Sequence, residues 1–481
     1  MNIWDYTLWL SALLYLALIV ATVYTVLFER RDPVRAISWI AVLVLMPGIG
    51  IVLFIFFGQN YRKQKLFNHK EIKDLRQIEI MSDKQIGRID DWQSPQIQNH
   101  SDIIKLLLSN SKSLLTVGNS IEILHNGTNT FNAIKEALRR AKRSIHLEYY
   151  IIEADTLGNE IAEILCEKAR QGLEVRLLYD DVGSWSLPRK YINHLRHAGV
   201  MLAKFMPVVF PWLTSKANYR NHRKIIIIDG AVGFTGGLNI ADRYIHGTKH
   251  GIWRDTHIKI EGPAVRMLQM TFITDWYFSS KVLLRDRARY FPEIKIPVGK
   301  TAVQIALSGP DSPYAAIMQA FFAAITSAKH HIYISTPYFL PGESLLTAIK
   351  VASMSGVDVR IMLPLHSDTV LVHWASRSYF TELLEAKVMV YLYKKGFNHS
   401  KLLTIDSSFC SVGSANMDER SFVDNFEITA MIYDEIVAEE LETAFLEDLK
   451  SCQKLTLHGW ENRKQKDNFK EAAARLFSPL L

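Results

Sequence analysis

The chain has 481 residues, 48% of them hydrophobic, with 56 lysines and arginines against 49 aspartates and glutamates, a formal net charge of +7. The length exceeds one ordinary domain, the apolar share is globular usage plus a membrane portion, and the basic balance suits an anionic partner, phospholipid headgroup or nucleic acid, without choosing between them. Cys166, Cys410 and Cys452 are isolated, odd in number and without a CxxC, which argues against a disulfide scaffold or zinc site and fits a reducing compartment.

No charge occurs between Tyr6 and Phe28, a stretch long enough to cross a bilayer, and a second uncharged run spans Ala36 to Phe57. Trp4, Trp9 and Trp39 sit near the ends, where interfacial aromatics are favoured. The first run lacks a basic leader and a small-residue cleavage site before Glu29, so it reads as a retained anchor, giving a transmembrane hairpin over 1–60. Pro47, Gly48 and Gly50 leave the second run open to being either a full span or a kinked, re-entrant one. Arg62, Lys63, Lys65, Lys70, Lys73 and Arg76 follow it, against Arg30, Arg31 and Arg35 in the loop between the runs. The richer flank places the catalytic portion on the cytoplasmic side.

Residues 61–115 read as a polar connector with one short helix near Ile103–Leu108. The next two segments, 116–295 and 296–455, repeat one another. AKRSIHLEYYII at 141–152 echoes AKHHIYISTPYF at 328–339, and GLEVRLL at 172–178 echoes GVDVRIM at 356–362. Each reads as helix, apolar strand, helix, apolar strand and then a motif strand. IIIID at 225–229 and LLTID at 402–406 are near-continuous apolar runs, as expected of strands covered on both faces by helices. The expected class is α/β, with two tandem sandwich-like halves and one shared site at their seam. FMPVVFPWL at 205–213 is either a buried loop or a segment that dips into the membrane; its prolines exclude a regular element. The tail, 456–481, is helix-prone and amphipathic until Pro479, and is expected to dock on the catalytic unit.

The chemistry sits in HRKIIIIDGAVGFTGGLN at 222–239 and HSKLLTIDSSFCSVGSAN at 399–416, which share H-x-K-x4-D-x6-G-[GS]-x-N. His222/His399, Lys224/Lys401, Asp229/Asp406, Gly236/Gly413 and Asn239/Asn416 fall at matching offsets, so a unit is duplicated. Alternation puts His222 and Lys224 on one strand face and Arg223 on the other. Two imidazoles, two ammonium groups and two amides around one pocket suit a phosphodiester. Lys224, Lys401, Asn239 and Asn416 would hold the non-bridging oxygens, with Ser414, where the first copy has Gly237, as an added hydroxyl. One imidazole attacks phosphorus while the other protonates the departing oxygen. No metal and no cofactor is called for, because the lysines supply the positive charge. Asp229 and Asp406 complete the candidate catalytic set, but five residues beyond the lysines they fall on the opposite face, which suits a structural bond. Asp255 and Glu427, each starting a strand-like run after a motif, are candidates to orient an imidazole. His246, His250 and His257 lack metal-ligand spacing and read as surface or core histidines.

These paired motifs resemble those of the phospholipase D superfamily. With ERRDPVRAISWIAVLVLMPGIGIVLFIFFGQ near the start and EAAARLFSPLL at the end, the chain is similar to the bacterial cardiolipin synthases along its length. The resemblance implies a multi-pass enzyme of the bacterial inner membrane that joins two phosphatidylglycerols, releasing glycerol, through a phosphatidyl-histidine. It favours His222 as nucleophile and His399 as general acid and then base, although the residues alone permit the reverse. Its partners would be phosphatidylglycerol and membrane lipids, with no nucleic acid. Hydrolysis of phospholipids and a membrane-tethered nuclease are the alternatives, and phosphatidylethanolamine as second substrate stays open.

Overall fold

The computed structural model describes residues 94–208, 219–248, 251–293 and 296–476, with 33–46, 73–88, 92, 478 and isolated positions before 55. Most of the first uncharged run, eight of the 22 positions of the second, the basic residues Arg62 to Lys70, most of the 205–213 segment and His250 lie outside the described residues. Among those described, no helix is long and apolar enough to cross a membrane. The helix Pro33–Leu45 buries Trp39 and Leu43. Trp39 meets Phe54 edge to face at 5.6 Å, and the Tyr15 hydroxyl from the first run donates to Leu43 O at 3.2 Å.

Among its described residues, the stretch read as a connector holds three helices, Lys73–Ile86, Pro95–Asn99 and Ser101–Ser111, where the sequence suggests one. Ile103, Ile104, Leu107 and Leu108 recur at helical spacing and are fully buried. Their partners belong to the second half: Gln304 Nε2 donates to Ser113 O at 2.7 Å, and Asn110 Nδ2 to Gln319 Oε1 at 2.8 Å. Polar composition hid this because the apolar face is only one stripe wide.

The first half carries β1 (Thr116–His125), β2 (Ser144–Tyr149), β3 (Glu174–Asp180), β4 (Met201–Phe205), β5 (Ile225–Ile228), β6 (Val232–Gly236) and β7 (Thr256–Glu261). The second carries β8 (Thr301–Ser308), β9 (His331–Ser335), β10 (Phe339–Leu340), β11 (Asp358–Pro364), β12 (Met389–Tyr393), β13 (Leu402–Ile405), β14 (Phe409–Gly413), β15 (Met417–Asp418), β16 (Glu427–Tyr433) and β17 (Cys452–Lys454). Fifteen of these form one sheet, ordered β4-β3-β2-β5-β6-β7-β1-β8-β16-β14-β13-β9-β11-β12-β17. The order reads outward alike from the central antiparallel pair β1 and β8, so the two halves share a topology, as the repeat predicts. The apolar motif strands are covered on both faces. Ile225 and Ile227 enter one core, Ile226 and Ile228 the other, and all four are buried. The tail docks: in the helix Gln465–Arg475, buried Glu471 pairs with Arg377 and Arg463, and Arg475 reaches Glu382 at 2.8 Å.

Asp229 and Asp406 end the motif strands in the left-handed region, at φ 56° and 51°. Each carboxylate accepts three backbone N–H groups at the start of the neighbouring strand: Lys142, Arg143 and Ser144 for Asp229, and Lys329, His330 and His331 for Asp406. They are therefore removed from the candidate catalytic set, because their oxygens are engaged in holding β2 and β9. Asp406→Ala should lower the unfolding free energy by about 1–3 kcal/mol, the cost of leaving such donors unsatisfied. Asp406→Asn should cost less, since asparagine keeps one acceptor and tolerates positive φ; equal losses in a chemical denaturation series would contradict this account.

Candidate active site

Four backbone bonds across the seam set the site. His222 N donates to Phe426 O at 3.0 Å and Phe426 N to Arg220 O at 2.9 Å; His399 N donates to Arg254 O at 2.7 Å and Arg254 N to Phe397 O at 2.9 Å. Each motif histidine is thus held beside the residue that precedes the other half's acid. The side chains follow the backbone. His222 Nδ1 lies 2.9 Å from Glu427 Oε1, and His399 Nδ1 lies 2.7 Å from Asp255 Oδ2. Both carboxylates are fully buried, while the imidazoles keep 12% and 8% of their side-chain surface exposed, so each has an edge open to a substrate. With Nδ1 tied to a carboxylate, Nε2 is the nitrogen left for chemistry.

Lys224 Nζ donates to its own His222 O at 2.6 Å, and Lys401 Nζ to His399 O at 2.6 Å, so the pseudo-symmetry extends to the ammonium groups. Burial and the neighbouring cations set the protonation states. Burial lowers His222 to about 4, with Lys224 and Lys401 pushing the same way against Glu427. His399 is pushed well below its ordinary value by burial, Lys401 and Lys224. Burial draws Lys224 well below the usual lysine range and brings Lys401 to about 8. It also raises Asp255 to about 6. Burial would raise Glu427 too, but His222, Lys224 and the Ser414 hydroxyl outweigh it and hold this carboxyl below its usual range. At neutral pH the site therefore presents neutral imidazoles on buried acids.

The asymmetric position has a steric cause. Ser414 Oγ donates to Glu427 Oε2 and accepts from Ile428 N at 3.0 Å, so its hydroxyl braces the acid and is not free for a phosphate, contrary to the sequence expectation. A Cβ at Gly237 would collide with the Asp255 carboxylate, whose Oδ1 accepts from Thr256 N at 2.7 Å. Asn239, also expected to hold phosphate, spends its amide on the Tyr244 hydroxyl at 2.6 Å and on Ile151 N at 3.2 Å. Asn416 keeps Oδ1 buried with no partner among the described residues. His257 is a core histidine against Gly236, and His246 ends the short helix Arg243–His246, whose Tyr244 ring lies 5.7 Å from that of His399.

Several neighbours went unnoticed in the sequence. Asn221 and Asn398 precede the two histidines and fold the backbone around them: Asn221 Oδ1 accepts from Arg223 N at 3.1 Å while its Nδ2 reaches buried Glu148 at 2.6 Å. Asn398 donates to Ser335 Oγ at 2.9 Å. Their shared N-H-x-K spelling was the available signal. Tyr150 packs edge-on to His222 at 5.0 Å, and Trp253 lies 5.1 Å from the His399 ring. Both come from loops outside the motifs, and no spacing rule points to them.

Comparison with known proteins agrees with this geometry. The family described as "Cardiolipin synthase, PLD-like domain" matches residues 134–276 and 321–449. The chain is 43% identical over 464 residues to a cardiolipin synthase of Geobacillus sp. (strain WCH70), covering 96% of this chain and 92% of the relative. The chain belongs to the cardiolipin synthase family. A further member, from Alkalihalophilus pseudofirmus, is 41% identical, with 95% of this chain and 91% of that protein covered. Residues 17–59 match a second family, phospholipase D-nuclease N-terminal. The crystal structure of a Haemophilus influenzae phosphatidylserine synthase shares the fold at a TM-score of 0.55 and 16% identity, covering 75% of this chain and 93% of that one. The family assignment makes this an enzyme of the phospholipase D superfamily. Within it, the two halves should not tolerate exchange at the asymmetric position. Gly237→Ser should displace Asp255 and cut turnover on the order of 100-fold, as expected when a site is misplaced by an ångström. Ser414→Gly, which removes one donor from Glu427, should cost about tenfold. Similar losses in a steady-state assay would refute the steric explanation.

Proposed function

We propose that the enzyme forms cardiolipin and glycerol from two phosphatidylglycerol molecules through a phosphatidyl group carried on His222. The observation that supports this most directly is the crossed pairing: two imidazoles, each tied through Nδ1 to a buried carboxylate of the opposite half, with both Nε2 edges open. In the first step His222 Nε2 attacks phosphorus, the P–O bond to glycerol breaks, and His399 gives its proton to the leaving oxygen. In the second, the hydroxyl of another phosphatidylglycerol attacks, the P–N bond breaks, and His399 takes the hydroxyl proton. Lys224 and Lys401, with Asn416, would hold the non-bridging oxygens and oppose the charge that builds up on them. Glu427 stays ionised and favours the imidazolium-like charge that His222 acquires, which supports His222 as nucleophile. An arriving phosphodiester brings the negative charge that His399 needs to hold a proton.

The family match over 17–59 and the bond from Tyr15 to Leu43 support reading 1–60 as a membrane hairpin. The lysines and arginines that follow the second run favour the cytoplasmic face for the catalytic halves 116–295 and 296–455, with 61–115 and 456–481 beside them. With purified protein and phosphatidylglycerol alone, cardiolipin and free glycerol should form, and neither should form with His222→Ala. Phosphatidic acid as sole product would overturn the transferase reading. A trapped phosphatidyl adduct should map to the peptide bearing His222, and mapping to His399 would reverse the two roles.

The protonation states give a pH profile. Asp255, raised to about 6, accepts from His399 only when ionised, so kcat/KM should rise as pH increases through about 6. Lys401, lowered to about 8, loses its charge above that pH, so kcat/KM should fall there. His222, at about 4, stays neutral across this window. Lys401→Arg should carry the alkaline limb upward, because guanidinium does not deprotonate; an unmoved limb would exclude Lys401 as its source.

A further inference from the structure

Cardiolipin formation poses a charge problem that the paired motifs do not solve. In the second step the acceptor lipid brings its own phosphodiester, attached to the glycerol whose free hydroxyl attacks. Lys224 and Lys401 would then be occupied by the phosphatidyl group on His222. A second anion needs a second set of cations within one glycerol's reach of the first.

The first half has such a place. A cavity of about 530 Å³ opens beyond β3 and β4, lined by Arg189, Arg196, Lys204, Asp181, Ser184 and Trp185 among others. Three cations face one carboxylate there. Lys204 pairs with Asp181 at 2.7 Å, whereas Arg189 and Arg196 have no carboxylate partner among the described residues. Asp181 holds Lys204 above the usual lysine range, and Arg196 opposes it only weakly, so the charge left uncompensated in the cavity is that of the two arginines. Trp185 is 62% exposed at the rim, an amphipathic ring suited to the depth of lipid headgroups. The cavity is one residue removed from the nucleophile: Ser184 Oγ donates to Tyr150 O at 3.0 Å, and the Tyr150 ring packs on His222 at 5.0 Å.

The second half closes the equivalent space. The cavity at the ends of β11 and β12 has a volume of about 10 Å³, beside Pro364, His373 and Arg377. Arg377 is already committed, to Glu471 at 3.3 Å and over the Trp460 ring at 4.6 Å. A duplicated fold with one open, cationic cavity suits a reaction in which two like lipids play unlike parts.

We infer that the Arg189–Arg196–Lys204 cavity binds the phosphodiester of the acceptor phosphatidylglycerol, directing its free hydroxyl to the phosphatidyl group on His222. This rests on the function proposed above. The acceptor oxygen forms the new P–O bond, the P–N bond to His222 breaks, and the hydroxyl proton passes to His399.

Exchange of labelled glycerol into phosphatidylglycerol tests it, because glycerol attacks the same intermediate but carries no phosphate. In full-length enzyme with mixed micelles of phosphatidylglycerol and neutral detergent, Arg189→Gln/Arg196→Gln should lose cardiolipin formation about tenfold more than glycerol exchange, given that charge-assisted bonds are lost. Arg189→Lys/Arg196→Lys should recover much of the difference, and thermal melts would verify folding. Inorganic phosphate should inhibit cardiolipin formation by the unsubstituted enzyme more than it inhibits exchange. Equal effects of the glutamine pair on both reactions would overturn the inference and leave the function standing. Inhibition by phosphate with cardiolipin formation untouched in the glutamine pair would mean that the cavity takes free phosphate only, and would also overturn it. Absence of both reactions in the unsubstituted enzyme would overturn the function itself, and the inference with it.

Discussion

The constraint on which the structure depends is that neither half can finish its own histidine. His222 is held at backbone and ring by Phe426 and Glu427, and His399 by Arg254 and Asp255. A lone half would leave a buried carboxylate without its imidazole and an imidazole free to choose its tautomer. Both are unfavourable in a low-dielectric setting, where an unpaired charge loses its hydration with nothing in return. The crossed bonds therefore serve folding and chemistry together, and the antiparallel pair β1 and β8 at the centre of the sheet brings the two loops into register.

Burial gives the site its reactivity and also its asymmetry. The same desolvation that keeps both imidazoles neutral raises Asp255 and draws the lysines down, and an anion arriving beside the lysines would favour their charged forms. Aspartate and glutamate are not interchangeable in it. The shorter Asp255 is braced by the backbone of Thr256 and crowds out any side chain at 237. The longer Glu427 leaves room for Ser414, whose hydroxyl helps to keep it ionised. Each half has solved one requirement, a fixed acceptor for Nδ1–H, by a different local packing.

Outside the motifs, the duplication is broken at the ends of the parallel strands. In the second half the docked C-terminal helix ties down Arg377 through Glu471 beside a small cavity, while the first half has a larger one beside Trp185 and Arg196. The two halves are alike around the paired histidines and unlike at the ends of these strands.

The sequence by itself determined the duplication, the strand and helix alternation and the identity of the paired histidines and lysines, because these depend on local periodicity and on residue types at fixed offsets. Its alternation argument also put Asp229 and Asp406 on the far face, where they hold β2 and β9. It gave Ser414 and Asn239 to the phosphate because a hydroxyl or amide beside a histidine looks available until its partners are seen. Which acid serves which histidine, why one copy has glycine where the other has serine, and which half keeps an open cavity were decided only by the tertiary structure. Those answers depend on distances between residues far apart in the chain, fixed by how the two halves of one sheet meet at a seam, and no spacing along one strand encodes them.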